Sequence, residues 1–232
     1  MDLFREIYKI NQNIVVVLFS GRPLDLREIS GKAKAILEVW LPGTEGGNAI
    51  IDVLTGSAAP SGKLPMSFPY AVGQVPISYN SFMTGRPAVG SGRFFSKYTD
   101  IPNAPLYPFG YGLTYTSFEI SNPELDASEM TRDGKITAQV WITNTGKTRG
   151  TDTVQLYIRD VAASVVRPIL ELKGFEKVTL EPGEKRRISF TITDEMLAFY
   201  REDGTFASEN GTFRVWISDS SVVAKYAEFE LK

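Results

Sequence analysis

The sequence contains no cysteine and no histidine. Without cysteine there is no disulfide framework and no thiolate metal site. Without histidine there is no Ser-His-Asp hydrolase, no imidazole acid–base chemistry and no His-ligated zinc. A surplus of charge is lacking too: 25 Lys and Arg stand against 27 Asp and Glu, a formal net charge of −2. That excludes the basic field of a nucleic-acid binder. The longest apolar run near the start, Ile14 to Phe19, is far too short to span a membrane. The opening segment MDLFREIYKINQN lacks the apolar centre of a secretory signal. Together these absences favour a reducing, cytoplasmic setting and predict no membrane, no nucleic acid, no metal and no cofactor.

What is present supports a packed protein. Of the 232 residues, 43% are hydrophobic and 12% aromatic. Leu3, Ile7 and Ile10 fall at helical spacing, which reads as an amphipathic helix. IVVVLF (14–19) and AILEVW (35–40) read as short, buried parallel strands. Pro42-Gly43 ends the second. Thr44 is placed to cap a helix running from Asn48 to Leu54, and Gly56 to stop it. Strand, connection, strand and helix make a piece of an α/β sheet, and two strands cannot by themselves complete one.

From Pro69 to about Ser117 periodicity disappears, while Pro, Gly, Tyr and Phe accumulate. A flexible linker would not be so aromatic, so this stretch reads as an ordered loop packed on its neighbours. After Phe118 strand-like runs alternate with turns: 135–144, 151–160, 170–180, 185–193, 211–218 and 224–232. Turn signals sit at Asn144-Thr145-Gly146, Glu181-Pro182-Gly183, Asp203-Gly204 and Asn210-Gly211, the last read as a hairpin. Short strands at this spacing predict a β-sandwich. Within it, Trp141, Tyr157 and Trp216 fall in strand alternation and are expected in the core. The fold class is α/β followed by all-β.

Three ordered motifs carry a family resemblance. They are GTEGGNAIIDVLTGSAAPSGKLPMSFP, LYPFGYGLTYTSF (106–118), and the strands beginning NTGKTRGTDTVQLYIRD and RPILELKGFEKVTLEPGE. They resemble the C-terminal part of family 3 glycoside hydrolases of the bacterial β-glucosidase type, and they cover essentially the whole chain. The resemblance implies three segments. Residues 1–69 would be the C-terminal part of an α/β sandwich domain. Residues 70–116 would be an ordered loop near the substrate mouth, and residues 117–232 a fibronectin type III-like β-sandwich.

It further implies an upstream (β/α)8-type barrel as partner and a β-glucoside or short β-glucan oligosaccharide as substrate. Family members are retaining enzymes with two carboxylates about 5–5.5 Å apart. The family's nucleophilic Asp lies on the barrel, and its acid/base Glu lies upstream of the strand resembling 14–19. Neither motif has a counterpart here, so no catalytic residue is assigned and the chain alone is expected to be inactive. In the resembling enzymes the loop between the GKLP and YPFGYG motifs reaches the active-site mouth. Here that implies leaving-group contacts from Arg86, Tyr98, Phe82, Arg93 and Asp100. A guanidinium forks donors toward hydroxyls, and an aromatic face stacks on a pyranose. Glu45, between glycines at a helix start, reads as structural. Competing readings are a free-standing carbohydrate-binding or adhesion module, and one half of a split enzyme docking through the edge beside 14–19. That edge would also permit a homodimer.

Overall fold

The computed structural model describes residues 2–87 and 94–232. The first helix, α1 (Asp2–Ile10), is followed by β1 (Val15–Leu18), a short α2 (Arg27–Ser30), β2 (Ala35–Glu38) and α3 (Gly46–Thr55). β1 and β2 pair in parallel, Val15 opposite Ala35 and Leu18 opposite Glu38. Leu26, Ile29 and Phe68 form a small core beneath them, with Val16, Leu18, Ile36 and Trp40 packed against it.

Two expectations need correction here. The strand at 14–19 is not buried: Val15 is 50% and Phe19 61% exposed, because no described element covers its outer side. Thr44 does not cap α3. A turn brings the Gly46 amide to the Gly43 carbonyl at 3.3 Å, and Glu45 becomes the N-cap residue. The Glu45 carboxylate accepts from the Asn48 side chain at 2.7 Å. Gly56 ends α3 with a left-handed φ of 79°, as its position predicted.

Among the described residues the sandwich region holds eleven strands: β3 (Phe118–Ile120), β4 (Glu124–Leu125), β5 (Glu129–Met130), β6 (Lys135–Asn144), β7 (Gly150–Asp160), β8 (Glu171–Leu180), β9 (Lys185–Thr193), a separate β10–β11 hairpin (Phe199–Tyr200, Phe206–Ala207), β12 (Gly211–Ser218) and β13 (Ala227–Leu231). A short helix, α4 (Asp194–Leu197), follows β9. One sheet runs β5-β13-β12-β7-β8. In the other, β6 pairs with β9 and also with β3 and β4. The core between the sheets takes Ile136, Ala138, Val140 and Ile142 from β6. It takes Val154, Leu156 and Ile158 from β7, and Phe213, Val215 and Ile217 from β12. Period-two alternation, legible in the sequence, selects these residues. Asn210-Gly211 is not a hairpin: β11 pairs back onto β10, while β12 pairs with β13 and β7. The Asn210 side chain instead accepts from Arg132 at 2.6 Å.

Of the three aromatics expected to be core, Tyr157 and Trp216 are buried, in a second cluster with Leu170, and Trp141 is not. Trp141 points outward from β6 and is 41% exposed. Tyr157 and Trp216 are buried, but on the opposite, outer face of the five-stranded sheet. That face is covered by the aromatic loop. β7 is therefore buried on both sides, with Thr153, Gln155 and Tyr157 closed under the loop. Among the described residues, no helix is long and apolar enough to cross a membrane.

Candidate functional site

Among its described residues, the loop between the α/β piece and the sandwich is nearly free of regular structure, yet it is tied down at several points. Its base is held by Gln74, only 2% exposed, whose amide donates to the carbonyls of Pro102 at 2.7 Å and Ala104 at 3.2 Å. Tyr79 is stacked on Phe109 with centroids 4.2 Å apart and meets the edge of Tyr157 at 5.9 Å. The Tyr79 hydroxyl accepts from the Leu172 amide at 3.3 Å. Ser81 accepts from the Ile169 amide at 2.9 Å, and Phe82 forms an antiparallel bridge with Pro168. The sandwich thus supplies one wall of the loop's setting.

Beneath this seam lies a buried amide clamp. Gln155 donates from Nε2 to the carbonyls of Asp219 at 2.6 Å and Gly110 at 3.3 Å, and its Oε1 accepts from the Tyr157 hydroxyl at 2.6 Å. Burial pushes the Tyr157 phenol well above its ordinary range, so it stays a neutral donor at any working pH. Tyr157→Phe is expected to leave the Gln155 oxygen unpaired and to cost about 1–3 kcal/mol in urea-unfolding experiments. Lys63 and Asp152 form a second tie, 2.7 Å apart, with side chains 13% and 6% exposed.

The loop and sandwich enclose an open groove of about 620 Å³, lined by Tyr79, Phe82, Tyr98, Asn103, Pro105 and Ile169 among others. Of the residues singled out from the sequence, the structure brings Phe82 and Tyr98 to this one groove. They are 60% and 42% exposed, as surfaces available for stacking must be. The Tyr98 amide is fixed by Asn103 Oδ1 at 2.9 Å. Arg86 is exposed and does not line the groove, and its carbonyl accepts from the Ser96 amide at 2.9 Å. Arg93 lies outside the described residues. Asp100 does not line the groove. It faces Arg27, whose guanidinium is held above its usual range mainly by Asp25, with a smaller contribution from Asp100. Gln74 and Gln155 were not recognisable in the sequence, because an isolated glutamine carries no periodic or motif signal.

The family model described as glycosyl hydrolase family 3 C-terminal domain matches residues 1–115. A fibronectin type III-like domain matches residues 152–221. A protein named periplasmic beta-glucosidase from Salmonella typhimurium is 49% identical, over 99% of this chain and 30% of its own length. A beta-xylosidase from Formosa agariphila is 41% identical, over 95% of this chain and 30% of its own. The crystal structure of a beta-glucosidase from Listeria innocua in complex with glucose superposes with a TM-score of 0.94 at 40% identity, covering 99% of this chain and 32% of that one. The chain therefore spans about 30% of the length of the curated relatives it matches. Across that span it carries the C-terminal domain of glycosyl hydrolase family 3 followed by a fibronectin type III-like domain.

Proposed function

We propose that this chain acts as the C-terminal portion of a retaining β-glucosidase that releases terminal β-linked glucose from short glucosides. Residues 1–69 complete the α/β sandwich domain, 70–116 form the loop at the substrate mouth, and 117–232 form the sandwich that holds the loop. Support comes from the names of the relatives, which include a periplasmic beta-glucosidase at 49% identity. The observation that carries the reading is the stitching of Tyr79, Ser81 and Phe82 onto residues 168–172 of the sandwich. It fixes where a loop bearing Phe82, Arg86 and Tyr98 projects. A polypeptide partner is favoured by the apolar surface of the α/β piece, where Leu3, Ile10, Phe19 and Leu41 are 75%, 89%, 61% and 80% exposed. The Salmonella relative's name puts that protein in the periplasm. A chain without cysteine suits either compartment, so the cytoplasmic expectation gains nothing from composition.

Within this proposal Arg86, Tyr98 and Phe82, with Arg93 and Asp100, contact the leaving group and take no covalent part. The purified chain is expected not to hydrolyse p-nitrophenyl β-glucoside, while the full-length parent does. In the parent, Arg86→Ala is expected to lower kcat/KM for a disaccharide roughly tenfold, and to leave the aryl glucoside much less affected. Equal losses on both substrates would remove Arg86 from the subsite, and turnover by the chain alone would overturn the assignment as a whole.

A further inference from the structure

The outer face of the second sheet is not used by any of these roles. Trp141 stands at its centre on β6, and among the described residues it is the one large hydrophobic side chain exposed on β3, β4, β6 and β9. Antiparallel pairing places Arg187 directly opposite it, with Ser189 opposite Gln139 and Lys185 opposite Thr143. Arg187 hydrogen-bonds the Gln139 side-chain oxygen. The Lys185 ammonium lies over the indole, 4.8 Å from its centroid. The Trp141 amide is anchored by Ser121 Oγ at 2.9 Å, so the backbone under the ring is fixed.

This surface has the chemistry of a sugar platform. A pyranose presents an apolar face of C–H groups rimmed by hydroxyls, which suits one aromatic plane ringed by amide, hydroxyl and guanidinium groups. Its charges nearly balance: Lys135, Lys185 and Arg187 face Glu119 and Glu124, whose partners Thr143 and Gln139 point the same way. Such a face lacks the basic surplus that phosphate binding needs. It also lacks the clustered aromatic centre of a protein interface. A neutral, hydroxylated chain matches it. The Lys185 stem is flexible and exposed, so its ammonium can move from the indole to a ligand hydroxyl at little cost.

We propose that the outer face of β6 and β9 binds a neutral β-glucan chain, with Trp141 as the stacking platform and Gln139, Lys185, Arg187 and Ser189 as hydroxyl partners. The site lies across the sandwich from the groove of Phe82 and Tyr98, and binding here does not depend on that groove's role. It would hold a long substrate near the enzyme without touching the reacting bond. The test is affinity electrophoresis of the 232-residue chain in native gels containing laminarin, with a gel lacking polysaccharide as reference. Retarded migration is expected, with Trp141→Ala weakening the apparent affinity roughly tenfold. Trp141→Phe should retain part of the retardation, and Phe175→Ala, at an exposed aromatic on β8 outside both surfaces, all of it. Thermal unfolding of each variant should match the parent, since the indole is on the surface. Absence of retardation in the parent chain would overturn the proposal. So would equal retardation of Trp141→Ala, or an equal loss in Phe175→Ala.

Discussion

Gly110→Ala is expected to lower the stability of the chain by about 3–5 kcal/mol, the sum of two independent penalties. Gly110 sits at a φ of 79°, in the left-handed region that an L side chain enters only at a cost. A Cβ built there would lie 2.3 Å from Gln155 Oε1 and 2.9 Å from Nε2. The glutamine cannot simply swing aside. It is 3% exposed, and its amide is committed to Asp219, Gly110 and the Tyr157 hydroxyl. Moving it would leave buried donors and acceptors without partners. Thermal unfolding followed by circular dichroism should show a midpoint lowered by roughly 10 °C. Gly73→Ala is the control, because a Cβ there meets nothing within 4 Å. If both variants unfold at the same temperature, the clamp between Gly110 and Gln155 does not hold the loop.

Asp152→Ala carries the second large expected loss, about 3–5 kcal/mol. Lys63 reaches from the GKLP motif to Asp152 on β7, and also donates to the Gly112 carbonyl at 3.0 Å. Both side chains are nearly sealed from water. Removing the carboxylate leaves an ammonium in a closed site with one neutral acceptor. The loss should come from the orphaned charge more than from the vanished attraction. Replacing both residues, Lys63→Met with Asp152→Leu, should therefore recover most of it in urea-unfolding experiments. A double variant as unstable as Asp152→Ala would mean that the pair itself, not the stranded charge, holds the loop to the sandwich.

Much of the sandwich was legible because its strands alternate. The runs 135–144, 185–193 and 211–218 coincide with β6, β9 and β12. Alternation names two faces of a strand but cannot say which face is covered, or by what. That is why Trp141 was placed inside and sits outside, and why Tyr157 and Trp216 belong to a separate layer. The capping of α3 was misread for a related reason. Thr44 and Glu45 both suit a helix start, and the turn at Gly43 decides between them. Composition suggested a packed aromatic loop, and its described residues Tyr79, Ser81 and Phe82 are fastened to the sandwich. Its fastening by buried amides at Gln74 and Gln155 was not legible, since their partners are backbone carbonyls supplied from 28 to 64 positions away.

β7 has no solvent face: one side belongs to the sandwich interior and the other to the loop that precedes the sandwich in the chain. The fibronectin-like unit is thus not a bead that can be cut out at the start of its first strand. Excising it there would bare Tyr157, Leu170 and Trp216 together and invite aggregation. In grafting between relatives, the loop and the sandwich must travel as one piece, and mismatched pairs should be recovered from the insoluble fraction. Sequence change in the two should be correlated for the same reason, with the loop drifting only as fast as the outer face of β7 permits.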